Sequence, residues 1–188
     1  SYPNVVVDGL LNDAVWAVAP KIHLVYDDVP AVRATYPGVI KWRSGQYQPS
    51  VNGNSGVATV FDPGDATVQS FFKNDSLYLG FDVNDQYVQN VNLIDRWDGF
   101  IVTINDRVAR GRDRSLAGRR ITFHVGSGGT GVAEDYLLAL RDTLNGAKFA
   151  LALKPGTTVD TLGLDTDQGY TAELRIDITK MGYPHGLG

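Results

Sequence analysis

The chain has 188 residues, 43% of them apolar and 20% charged, with a formal net charge of -4 and no cysteine. That size and composition suit one domain with a core of its own. They exclude disulfides, thiolate metal sites and cysteine nucleophiles, the acidic balance speaks against a general nucleic-acid binder, and no apolar run reaches the roughly 18 residues that a membrane span needs.

The opening Ser1-Tyr2-Pro3-Asn4 has neither the basic start nor the apolar stretch of a signal peptide. Either a signal has been removed or the chain is cytoplasmic; the 21 glycines, with Asn, Asp and Thr abundant and Lys and Glu few, lean towards a secreted or cell-surface chain whose signal is not part of this sequence. A first short strand is predicted at 5–7. Residues 11–18 carry the best helical pattern, with Asn12 or Asp13 as cap and Val15, Trp16 and Val18 on the turns; Trp16 there reads as core.

From there on the signal is period-two alternation and short runs of β-branched and aromatic residues between Gly, Pro, Asn and Asp. Strands are predicted at 22–26, 57–61, 67–73, 77–83, 100–105, 121–125, 135–141, 148–153 and 170–176. The clearest hairpin turns at Asn74-Asp75-Ser76. In its second strand Leu77, Leu79, Phe81 and Val83 share a core-like face, and Tyr78, Gly80 and Asp82 share one that can be polar. About ten short strands and one short N-terminal helix predict an all-β, jelly-roll-like antiparallel sandwich, a single domain over residues 1–188. Long loops are predicted at 27–55, 106–120 and 126–132, where binding residues tend to lie.

Three segments in order carry a family resemblance. They are Val7-Asp8-Gly9-Leu10-Leu11-Asn12-Asp13-Ala14-Val15-Trp16, the run from Phe72 through Leu77-Tyr78-Leu79-Gly80-Phe81-Asp82-Val83 to Asp85, with Trp97-Asp98-Gly99 after it, and Gly169-Tyr170-Thr171-Ala172-Glu173-Leu174-Arg175-Ile176. Together they resemble family 9 carbohydrate-binding modules. The resemblance implies a jelly-roll-like sandwich, bound calcium and recognition of sugar ends. The scaffold is shared with DOMON-type domains and haem-binding redox subunits, so fold alone does not fix function. Two departures stand out. No tryptophan follows Trp97, so the family's pair of sugar-gripping tryptophans is not intact. The family also continues beyond the Gly-Tyr-x-x-Glu strand, whereas this sequence stops at Gly188, which points to a fragment, a shortened fold or a strand supplied from elsewhere.

Hard cations take several oxygens from loop carboxylates, amides and carbonyls. Asp82, Asn84, Asp85 and Asp98 are the leading calcium candidates, with Asp62 and Asp65 around a Pro-Gly turn and Asp165 and Asp167 in another turn. The plainer account is that Asp and Asn favour turns for their own sake. Trp97, Trp42, Tyr47 and Tyr36 are the aromatic candidates for stacking on a sugar face. Arg107, Arg110, Arg112, Arg114, Arg119 and Arg120 read first as a solvated loop balanced by Asp106 and Asp113, with an anionic glycan or an acidic neighbour as the functional alternative.

No catalytic constellation is visible. His23, His124 and His185 are far apart, Glu134 and Asp135 are expected to point to opposite faces of a strand, and no nucleophile elbow, zinc helix or phosphate loop occurs. The expectation is therefore a non-enzymatic extracellular carbohydrate-binding domain stabilised by calcium. The alternative is a structural subunit of an extracellular assembly or filament, a homo-oligomer exchanging strands between chains. A haem-binding redox subunit, with Met181 beside His124 or His185 as axial ligands, comes third.

Overall fold

The computed structural model describes residues 3–25, 65–90, 98–104, 120–161 and 166–186. Among these residues the elements are α1 (Ala14–Val18), β1 (Lys21–Val25), β2 (Asp65–Lys73), β3 (Ser76–Asn84), β4 (Gly99–Thr103), β5 (Arg120–Val125), β6 (Gly131–Glu134), α2 (Asp135–Asp142), β7 (Ala147–Leu153) and β8 (Tyr170–Asp177). A single 3-10 turn, Ile178–Met181, follows β8. The strands form two antiparallel sheets, one in the order β1-β2-β3-β8-β7 and one in the order β4-β5-β6. The expected all-β, sandwich-like class is therefore the one observed.

The β2–β3 hairpin shows why its sequence turns where it does. Lys73 pairs with Ser76, which leaves Asn74 and Asp75 as a two-residue loop, and both have positive φ, 48° and 62°. A primed turn requires that geometry, and Asn and Asp tolerate it better than other residues with a side chain. The register then sends Leu79, Phe81 and Val83 into the main core, as alternation predicts. There they meet the inner face of the smaller sheet. Phe81 lies 4.0 Å from Phe100 and 5.3 Å from Phe123 between ring centroids, and Phe123 lies 6.0 Å from Phe149. Aromatic clusters of this kind add edge and offset attractions to the area they bury.

Four expectations change. The predicted strand at 135–141 is the helix α2. Leu137 and Leu140 are both fully buried, three positions apart on one helical face, and Asp135 and Arg141 sit at the ends that suit the helix dipole. A short apolar run of this length satisfies either period. Glu134 and Asp135 are accordingly not two faces of one strand: Glu134 ends β6 and Asp135 opens α2. The second change is β6 itself, which begins inside the predicted Gly-Ser-Thr loop at 126–132. Residues 5–7, third, belong to no strand, and the predicted helix at 11–18 contracts to Ala14–Val18. Fourth, the outer face of β3, expected as one that can be polar, is packed against the second core at Tyr78 and Gly80. The predicted strand at 57–61 lies outside the described residues. No helix among the described residues is long and apolar enough to cross a membrane.

Candidate ligand cleft and the clasp beside it

Strand pairing places His23 and Val25 of β1, Asp65, Thr67, Gln69 and Phe71 of β2, Tyr78, Gly80, Asp82 and Asn84 of β3, and Thr171 and Glu173 of β8 on one face of the larger sheet. This is the face turned away from the main core. Its two halves are built differently.

One half is covered by the N-terminal segment. Val15, Trp16, Ala19 and Phe71 form a second, small core, with Val5, Leu11 and Tyr78 packed against it. Trp16 meets Phe71 edge-on at 5.2 Å, and Phe71 stacks on Tyr78 at 4.8 Å. Gly80 makes the close approach possible, since a Cβ there would stand 2.7 Å from Leu11 and 2.9 Å from the Trp16 ring. The segment is anchored by Glu173, which is 1% exposed. Its Oε2 accepts hydrogen bonds from the backbone N–H groups of Asp8 and Gly9, both at 2.8 Å, and its Oε1 accepts from Trp16 Nε1 at 2.7 Å. Burial pushes the Glu173 carboxyl above its ordinary range, against the pull of those three donors. Gly9 must be glycine: its φ is +89°, and a Cβ would lie 2.9 Å from the Leu151 carbonyl carbon. Thr171 donates to the Gly9 carbonyl, and the Gln69 side chain donates to that of Trp16. The Asp-Gly, Leu-Tyr-Leu-Gly and Gly-Tyr-x-x-Glu segments thus meet in one clasp.

The other half is a chain of charged and amide groups. The Lys154 ammonium, just past the end of β7, lies 2.7 Å from Asp82 Oδ1 and donates to Asn84 Oδ1, also at 2.7 Å. Asn84 Nδ2 donates to Asp65 Oδ2 at 3.0 Å, and Asp65 Oδ1 meets His23 Nε2 at 2.5 Å. The hydrogen bond from Asn84, with help from His23 and Lys154, holds the Asp65 carboxyl below its ordinary range despite some burial. Beside this chain opens a cleft of about 540 Å³, lined by Val25, Asp65, Asn84, Asp85, Gln86, Thr166, Asp167 and Gln168. Its wall is held by Asp167, 4% exposed, whose carboxylate accepts from the backbone N–H groups of Val88 at 2.9 Å and Thr158 at 2.8 Å.

The four expected calcium ligands are each engaged with the protein. Asp82 and Asn84 share the Lys154 ammonium. Asp85 Oδ1 accepts from the Tyr87 N–H at 3.0 Å, and Asp98 Oδ2 from the Gln89 N–H at 2.5 Å. Among the described residues no three His, Cys, Asp or Glu side chains gather as a metal-holding group. Burial, with Asp98 and Asp85 adding to it, keeps the Tyr170 phenol well above its ordinary range and so protonated. The aromatic candidates Trp97, Trp42, Tyr47 and Tyr36, together with Asp62, Asp165 and Arg107, Arg110, Arg112, Arg114 and Arg119, lie outside the described residues. Arg120 is exposed at the start of β5.

The three histidines each meet a different carboxylate: His23 with Asp65, His124 with Glu134 at 3.0 Å, and His185 with Asp75 at 3.0 Å. Met181 is 2% exposed and packs in the main core. Sequence reasoning did not single out Lys154, Gln86, Thr166 or Gln168. Of these only Lys154 carries a signal, as a charged residue ending an apolar strand. No protein-family model, curated protein or solved structure matches the chain.

Proposed function

We propose that this chain is a non-catalytic carbohydrate-binding domain of a secreted or cell-surface protein, with its ligand in the cleft at the polar end of the larger sheet. The observation that carries the reading is the lining itself. Asp65, Asn84, Asp85, Gln86, Thr166 and Gln168, whose side chains carry carboxylates, carboxamides and a hydroxyl, line one space of about 540 Å³. Polyols are recognised by such groups, because each sugar hydroxyl both donates and accepts, and planar side chains offer paired sites to adjacent hydroxyls.

Two further facts support it. The chain runs from Val25, on the cleft wall, directly into residues 26–64, which carry Tyr36, Trp42 and Tyr47. The resemblance to family 9 modules points to the same ligand class. Calorimetric titration with soluble oligosaccharides of several backbones, with and without calcium, tests the reading. Saturable heat with at least one sugar, abolished by Gln86→Ala with Gln168→Ala, is the expected result. Silence across the panel, in calcium and in chelator, would sink it.

A further inference from the structure

The end of β3 is where the family resemblance places a divalent cation, and the described residues do not form an oxygen cage there. Calcium takes six to eight oxygens, with several carboxylates turned towards one point. Here Asp85 and Asp98 each accept from a backbone N–H of their own loop. Asp82 and Asn84 turn towards one point, and at that point stands an ammonium group.

We infer that Lys154 is the resident cation of this site: a tethered charge that organises Asp82, Asn84 and, through Asn84, Asp65, in place of a bound metal. Three observations support the assignment. The ammonium is 2.7 Å from an oxygen of each of two residues that lie two positions apart on the same strand face. Its side chain is only 22% exposed, so its charge is partly withdrawn from water and directed at these partners. Asp82 Oδ1, the oxygen that faces the ammonium at 2.7 Å, is itself sheltered from solvent, so the pair is screened less than an exposed one.

The ammonium also sets the orientation of a cleft residue. With Oδ1 of Asn84 accepting from Lys154, its Nδ2 is left to face Asp65, and both groups line the cleft. Lys154 is thus a positioning residue for the proposed ligand site. The effect on ligand rests on the carbohydrate reading; the cation assignment stands without it.

The test uses the whole chain, with thermal midpoints and calorimetry in chelator and in calcium chloride. Wild type is expected to show the same midpoint in both, and no heat of calcium binding. Lys154→Ala is expected to melt about 2–4 °C lower in chelator, the shift that about 1 kcal/mol produces in a domain of this size, and to recover in calcium, which enters the place the ammonium leaves. Lys154→Arg keeps the charge and is expected to remain calcium-insensitive. Lys154→Gln is read in the same way should the alanine variant not fold.

Stoichiometric calcium binding by wild type overturns the assignment, as does a Lys154→Ala or Lys154→Gln protein whose midpoint calcium leaves unchanged. An oligosaccharide titration run in chelator separates the two proposals. Loss of all sugar binding by wild type, with the calcium responses as expected, removes the ligand reading and leaves the resident cation in place.

Discussion

The two halves of the outer sheet face share their strands and differ in what lies over them. At Gly80 the missing side chain lets Leu11 and Trp16 settle on the sheet, and the buried carboxylate beside them, Glu173, accepts from three donors. Two residues further along β3, Asp82 stands where Gly80 stood. There no apolar segment among the described residues lies over the sheet, and Lys154, Asn84, Asp65 and His23 link in a polar chain. One strand therefore carries an apolar structural joint and a polar, charged surface side by side. The choice between them is made by whether a residue admits a covering segment or repels it.

The contrast predicts large effects at the clasp and small ones at the cleft. Trp16→Ala is expected to lose about 4 kcal/mol in denaturant unfolding, because it empties the small core and leaves Glu173 without its Oε1 partner. Glu173→Gln comes next, at about 2–3 kcal/mol, since an amide N–H₂ would face N–H donors in a buried place. Gly80→Ala is expected to lose about 2 kcal/mol by forcing Leu11 and Trp16 off the sheet. Asp65→Asn, in the half-open cleft, is expected to change stability by less than about 1 kcal/mol. A loss there as large as the Trp16→Ala loss would erase the distinction between the halves.

Acid titration of stability sharpens the same contrast, because the two carboxyls shift in opposite directions. Glu173 binds its proton more readily folded than unfolded, so its contribution falls as pH rises from the ordinary glutamate range to its raised folded value, and is level above. Asp65 is held below its ordinary range. Its contribution is complete above that range and disappears as pH falls through the lowered folded value. Melting each variant against pH should show a stabilising slope on acidification removed by Glu173→Gln and a destabilising one removed by Asp65→Asn. The same sign in both would contradict the account.

The fold was legible where local chemistry and pattern agree. Asn74 and Asp75 announce their turn, and Leu79, Phe81 and Val83 announce their face. It was not legible where a short apolar run fits two periods, as at α2, or where β6 is a strand chiefly because β5 lies beside it. The partners of Glu173 and Lys154 were hidden for another reason. Glu173 is 165 residues from Asp8 and Lys154 is 70 from Asn84, so neither contact exists until β8 has paired with β3, β7 with β8, and the N-terminal segment has folded over the sheet. Alternation showed that Asp82 and Gly80 share a face; it carried no information about what would cover one and leave the other open.

A map of backbone amide NMR shifts, recorded as an oligosaccharide that binds is titrated in, locates the ligand on the sheet directly. Changes are expected at residues 84–86 and 166–168, at the cleft, and none at Asp8, Gly9 or Glu173. Changes centred on the Trp16 clasp, with the cleft residues silent, would contradict this placement.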